Sequence, residues 1–169
     1  MEKLDFDLKK GKEDGKVSAK ESLEIGLQLV KIIDQMKSAG TFHRDLKPQN
    51  VLLKKQNGKW EIKLTDFALA DPYTAYNSTT RAISGTPGFA PVMLDNPAQG
   101  GDDHSLAVTL GSILMEEKSF WNGFFKTQKT DRCIKLLRNH PKKYYQLVGE
   151  LIYYLLNGMV SHVHFMIDS

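Results

Sequence analysis

Residues 23–36 most constrain this chain, because Leu23, Leu27, Val30 and Ile33 recur at helical spacing while Ile25, Leu29, Ile32 and Met36 widen the stripe. A helix apolar over that much of its circumference is stable only when surrounded, so the rest of the chain must build a core around it. Its ends are legible. Ser18 and Glu21 have the spacing of a capping box, in which hydroxyl and carboxylate cover first-turn N–H groups. Gly40 is a natural terminator, so a helix is expected over 18–39. Composition agrees with a compact domain: 169 residues are 41% hydrophobic and 25% charged, with a net charge of +3.

The segments after this helix carry further elements. Val51–Leu53 and Trp60–Leu64 flank Gln56-Asn57-Gly58, whose Asn-Gly pair suits the positive φ of a tight turn, so a β-hairpin is expected. Tyr73–Thr86 is rich in Ser and Thr without periodicity, and reads as a long surface loop. Asp102 or Asp103 can cap a helix running from Ser105 to Met115. Residues 131–157 read as helical with a break at Pro141, and Tyr144, Tyr145, Tyr153 and Tyr154 as packing. Residues 1–17 are polar and Gly/Lys-rich apart from Leu4, Phe6 and Leu8, with no element expected.

Several function classes are disfavoured. A charge of +3 is too small and dispersed for nucleic acid. The apolar stretch 144–166 contains Gln146, Glu150, Asn157, His162 and His164, so it reads as core or interface and no membrane partner is expected. Cys133 is the sole cysteine, which excludes an intrachain disulfide and favours a reducing intracellular, cytoplasmic setting. The N-terminus lacks the apolar core of a signal peptide. His162 and His164 have no evident third ligand, so metal binding there is not expected.

The chemistry lies in His43-Arg44-Asp45-Leu46-Lys47-Pro48-Gln49-Asn50, followed by Val51-Leu52-Leu53. Asp66-Phe67-Ala68 begins 21 residues after Asp45, and Gly85-Thr86-Pro87-Gly88-Phe89 precedes Ala90-Pro91. Asp102 opens the run Ser105-Leu106-Ala107-Val108. This order resembles the C-terminal lobe of protein kinases, in the serine/threonine form marked by Lys47. The resemblance covers roughly residues 1–120 and implies a mostly α-helical fold with a small β-hairpin. It implies a hinge-like segment over 1–8, a helix over 18–39, the catalytic loop and hairpin over 43–64, and an activation segment over 66–91. A central helix over 102–115 and a divergent helical tail over 120–169 complete this single truncated kinase domain.

The resemblance also implies roles. Asp45 accepts the proton of a substrate hydroxyl, and Lys47 balances charge on the transferred phosphoryl. Asn50 and Asp66 supply hard oxygens to Mg²⁺. Glu2, Leu52 and Asp66 contact ATP, with Leu52 as the floor under adenine. Arg44 and Thr86 belong to the activation-segment apparatus, Arg44 awaiting a phosphate on Thr74, Ser78, Thr79, Thr80 or Ser84. His43, Phe67 and Asp102 form a core spine. The implied partner is a protein substrate or regulatory protein.

Three departures qualify the resemblance. Ala68 replaces a glycine, which costs about 1–2 kcal/mol if that position has φ > 0. Val92 stands in place of a glutamate whose arginine partner has only Arg132 and Arg138 as candidates. No G-x-G-x-x-G loop with its strand lysine occurs among the 169 residues. The expectation is a kinase lobe inactive alone, with a second lobe possible in trans; the alternative is a non-catalytic, pseudokinase-like binding module or scaffold. Leu4, Phe6, Leu52 and Phe67 are expected to form an uncovered apolar face.

Overall fold

A computed structural model describes residues 6–72, 85–86, 88–89, 101–114, 134–135 and 138–156. The expectations for Glu2, Leu4, the loop hydroxyls, Val92, Arg132, Cys133 and the His162/His164 pair fall outside them.

The long helix α2 spans Ala19–Ser38. Its capping box forms: Ser18 Oγ accepts from Glu21 N at 3.2 Å, and Glu21 Oε2 accepts from Ser18 N at 2.9 Å. Gly40 ends it at φ 70°. The buried seam is Ser22, Ile25, Gly26, Leu29, Val30 and Ile33: Ile25, Leu29, Val30 and Ile33 of the expected stripe are buried, whereas Leu23 and Leu27 are only partly so. Two small residues, Ser22 and Gly26, join the seam. A Cβ on Gly26 would lie 2.8 Å from Leu110 Cδ2, so the missing side chain lets another helix approach closely. That helix is α3, Gly101–Leu114, with Leu106, Leu110, Ile113 and Leu114 buried. Helix α4, Lys143–Leu156, packs on α3, burying Val148, Leu151 and Ile152, and its Tyr144 hydroxyl donates to Ala19 O of α2 at 3.4 Å. The four tyrosines pack partly buried against this core.

Two short sheets position the chemistry. Strands β3 (Val51–Gln56) and β4 (Lys59–Leu64) form the expected hairpin, with Asn57 at φ 50° and Gly58 at φ 77° in its turn. Strand β1 (Phe6–Asp7) adds a third strand antiparallel to β3, placing Phe6 opposite Leu53 and Asp7 opposite Leu52. Helix α1 (Leu8–Glu13) follows at once, its N-terminus capped by Asp7 Oδ1 accepting from Lys10 N at 2.9 Å. Neither β1 nor α1 was expected from the sequence. Strands β2 (Thr41–Phe42) and β5 (Asp71–Pro72) pair antiparallel and form a separate two-stranded sheet.

The hairpin lies across α2. Trp60 is buried and meets the Phe6 ring edge-on at 5.8 Å. Trp60 Nε1 donates to Glu21 Oε1 at 2.9 Å, and Lys55 Nζ reaches the same oxygen at 2.8 Å. Phe6 is therefore partly covered by Trp60 and by the close backbone of Gly11, where a Cβ would lie 2.6 Å from its ring. The expectation that Phe6 belongs to a bare apolar face is corrected accordingly.

Candidate active site

The loop between Phe42 and Pro48 carries four of the candidate residues, His43, Arg44, Asp45 and Lys47, and α3 holds it in place. Asp102 is 1% exposed. Its Oδ2 accepts from His43 N at 2.7 Å and its Oδ1 from Arg44 N at 2.8 Å. Asp102 lies inside the first turn of α3, so the expectation that it caps this helix is corrected: its carboxylate serves another segment's amides. Those bonds hold a strained backbone. Arg44 has φ 68°, a left-handed conformation that costs a non-glycine residue about 1–2 kcal/mol.

His43 is fully buried and fastens the loop to the hairpin. Its Nε2 donates to Thr65 O at 3.0 Å, which leaves Nδ1 to accept from Asp45 N at 3.4 Å. Thr65 N in turn donates to Asn50 O at 3.0 Å. Thr65 acts only through its backbone, so no side-chain signal could have marked it in the sequence.

Asp45, 8% exposed, is the hub. Oδ1 accepts from Thr86 Oγ1 at 2.6 Å and from Thr86 N at 2.9 Å. Oδ2 lies 3.0 Å from Lys47 Nζ and accepts from Asn50 Nδ2 at 3.2 Å. Lys47 Nζ also donates to Thr86 Oγ1 at 2.6 Å, so the hydroxyl bridges ammonium and carboxylate. Burial works to raise the Asp45 pKa, but the hydrogen bonds from Thr86 and Lys47 and the lysine charge outweigh it. The carboxyl is held below its usual range.

Thr86 is presented by a tight turn. Gly85 and Gly88 have φ of 124° and 91°, and Phe89 N bonds back to Thr86 O at 3.0 Å. Ser105 Oγ of α3 donates to Phe89 O at 3.0 Å. The first two turns of α3 thus anchor both sides of the site.

Asn50 and Asp66 differ in surroundings. Asn50 Nδ2 is committed to Asp45 O at 2.8 Å and to Oδ2. Its Oδ1 is not among the sealed, unpartnered atoms, whose sole described member is Thr109 Oγ1. Asp66 is exposed, in a left-handed conformation at φ 63°, ψ 64°. One amide oxygen and one exposed carboxylate fit a hard cation such as Mg²⁺, which keeps several waters. The described residues hold no group of three His, Cys, Asp or Glu side chains that could bind a metal by themselves.

Three further expectations are refined here. Ala68 lies in the 3₁₀ turn Phe67–Leu69 and is absent from the positive-φ residues, so its missing glycine carries no backbone penalty; the left-handed residue is Asp66. Phe67 is 49% exposed, which corrects its expected place in the core and agrees with its expected place on an uncovered apolar face; its ring meets that of His43 at 4.8 Å between centroids. Arg138 bonds Glu150 at 2.6 Å, so it is engaged within the tail. Leu52 is half-buried opposite Asp7 and Lys63. No described helix is long and apolar enough to cross a membrane.

A family profile described as "Protein kinase domain" matches residues 1–161. Serine/threonine-protein kinase PknK of Mycobacterium bovis is 36% identical over 103 residues, covering 59% of this chain and 9% of that protein. The probable serine/threonine-protein kinase nek3 of Dictyostelium discoideum is 31% identical over 111 residues, 66% of this chain and 10% of that one. Serine/threonine-protein kinase 36 of Mus musculus is 26% identical over 150 residues, 88% of this chain. The chain spans only 9% to 11% of the length of these relatives. With a profile match over almost its whole length, the chain belongs to the protein kinase family.

Proposed function

We propose that residues 6–114 carry the C-lobe half of a serine/threonine protein kinase site, which transfers the γ-phosphoryl of ATP to a protein hydroxyl. The observation that carries this is the Asp45 carboxylate, bound by Thr86, Lys47 and Asn50 within 2.6–3.2 Å. A carboxylate so held is fixed in direction and ionised at neutral pH, as a base accepting a hydroxyl proton must be. Lys47, beside it, would offset negative charge at the transferred group. Asn50 Oδ1 and Asp66 would hold Mg²⁺, which neutralises phosphate charge when bound. Leu52 and Glu2 would contact ATP, and Arg44 would pair with an activation-segment phosphate.

A glycine-rich cover and a phosphate-clamping lysine are not among the 169 residues, so transfer requires them from outside this stretch. Proximity and orientation account for about 7–11 kcal/mol of a barrier. Losing half slows turnover about 10³-fold. A second function, a non-catalytic module docking a protein partner, is favoured by the half-exposed Phe67 ring.

The deciding assay is radiolabelled phosphate transfer from Mg²⁺-ATP to a generic protein substrate. The chain is assayed alone and with a separate glycine-rich kinase lobe, each beside Asp45→Asn. Background transfer alone, raised by the added lobe and abolished by Asp45→Asn, is the expected result. No transfer under either condition refutes the catalytic function and leaves the docking module.

A further inference from the structure

The first turn of α3 buries two adjacent acids. Asp102 and Asp103 are 1% and 3% exposed. Neighbouring helical residues point about 100° apart, and here they serve different partners. Asp102 faces the amides of His43 and Arg44, whereas Asp103 faces α2 and meets Lys37 Nζ at 2.7 Å. The Lys37 side chain is 25% exposed and that of Asp103 only 4%.

We propose that Lys37 is a positioning residue of the catalytic loop, its bond to Asp103 fixing the turn of α3 from which Asp102 holds the His43 and Arg44 amides. A buried carboxylate is tolerated only when paired, and removing its partner leaves an uncompensated charge. Asp103 has no easy relief. Burial pushes its carboxyl up, Asp102 and Asp34 raise it further, and Lys37 is the opposing cation. Without Lys37, Asp103 must protonate or turn toward water. Turning rotates the single helical turn that also carries Asp102. The segment at risk is the strained one: Arg44 stays at φ 68° because Asp102 Oδ1 accepts its N–H. Released, Arg44 relaxes out of the left-handed region and carries Asp45 away from Thr86. The effect on phosphoryl transfer rests on the function proposed above, while the effect on the loop does not.

Hydrogen exchange on the full 169-residue chain reads the loop directly. In Lys37→Met, exchange at the His43 and Arg44 amides is expected to accelerate about tenfold or more, while the amides at Leu29, Val30 and Leu110 change little. Lys37→Arg restores protection. So does Lys37→Met combined with Asp103→Asn, which removes the charge that needed a partner. Equal acceleration everywhere, no acceleration at His43 and Arg44, or no rescue by the double variant overturns the proposal. Should Lys37→Met not fold, the double variant decides: folding with both amides protected supports the coupling, and failure to fold overturns it. The expected exchange pattern in a chain that never transfers phosphate would refute the catalytic function alone.

Discussion

Replacing Thr86 with valine removes one hydroxyl and keeps the β-branched shape. In the wild type that hydroxyl donates to Asp45 Oδ1 and accepts from Lys47 Nζ, both at 2.6 Å. The backbone bond from Thr86 N to Asp45 and the Lys47–Asp45 contact at 3.0 Å survive the change. A hydrogen bond to a charged group contributes about 1.5–3 kcal/mol. The lysine bond counts for less, about 0.2–1 kcal/mol, because the Lys47 side chain is 20% exposed and can find water. The expected loss is therefore about 2–3 kcal/mol, or a fall in Tm of about 4–12 °C for a chain of this size. The pH dependence checks the cause. Asp45 titrates below its usual range when folded, so its stabilising contribution is present above the unfolded pKa. That contribution is lost as pH falls through the folded pKa. Thr86→Val should raise the folded pKa toward the ordinary one, and wild type and variant should converge in stability at low pH. Urea denaturation from pH 7 downward, with carboxyl NMR titration of Asp45, measures both. Thr86→Ser, which keeps the hydroxyl, should behave nearly as wild type. A valine variant of full stability with an unmoved Asp45 titration would refute the bridging role.

Gly26→Ala sets a helix-propensity gain of about 1 kcal/mol against overpacking of about 1–3 kcal/mol. Because the new Cβ lies 2.8 Å from Leu110 Cδ2 and Leu110 is fully buried, a net loss near 1 kcal/mol is expected in a circular-dichroism melt; a higher Tm would show that α2 and α3 part freely. Glu21 has its pKa lowered from 4.5 to about 2, first by the Lys55 hydrogen bond and then by Ser18 and Trp60. Its contribution is present above pH 4.5 and disappears as pH falls toward 2, so Glu21→Gln should flatten the urea midpoint between those values, and an unchanged slope would count against the contact.

Local chemistry decided what was legible in the sequence. The Ser18–Glu21 box, Gly40 and the Asn57-Gly58 turn act within a few residues of themselves, and all three form as their spacing implied. Strands β1, β2 and β5 have two residues each, too few to show a period. Helix α1 is six residues around Gly11, and depends on Asp7 and on Phe6 packing over that glycine. The apolar part of the α2 seam, Ile25, Leu29, Val30 and Ile33, was legible, but Ser22 and Gly26 were not, because hydrophobicity does not count residues that mark contact by their smallness. In the site, Asp45, Lys47, Asn50 and Thr86 were readable as a motif. The Lys37–Asp103 pair and the Thr65 carbonyl were not, since partners 66 and 22 residues apart leave no pattern in the chain.

Backbone strain also bears on how this chain tolerates improvement. Among the described residues, Arg44, Asn57 and Asp66 are the non-glycine residues with positive φ. Asn57 sits in a hairpin turn that glycine would fill as well, but Arg44 flanks Asp45 and Asp66 offers the exposed carboxylate. Glycine at either site would relieve about 1 kcal/mol of conformational cost. Selection for thermal resistance alone should therefore drift toward glycine at 44 and 66, discarding a guanidinium and a carboxylate in the process. Directed evolution of this lobe for expression or shelf life should hold those two positions fixed and seek its gains at Asn57 and on the outer face of α2.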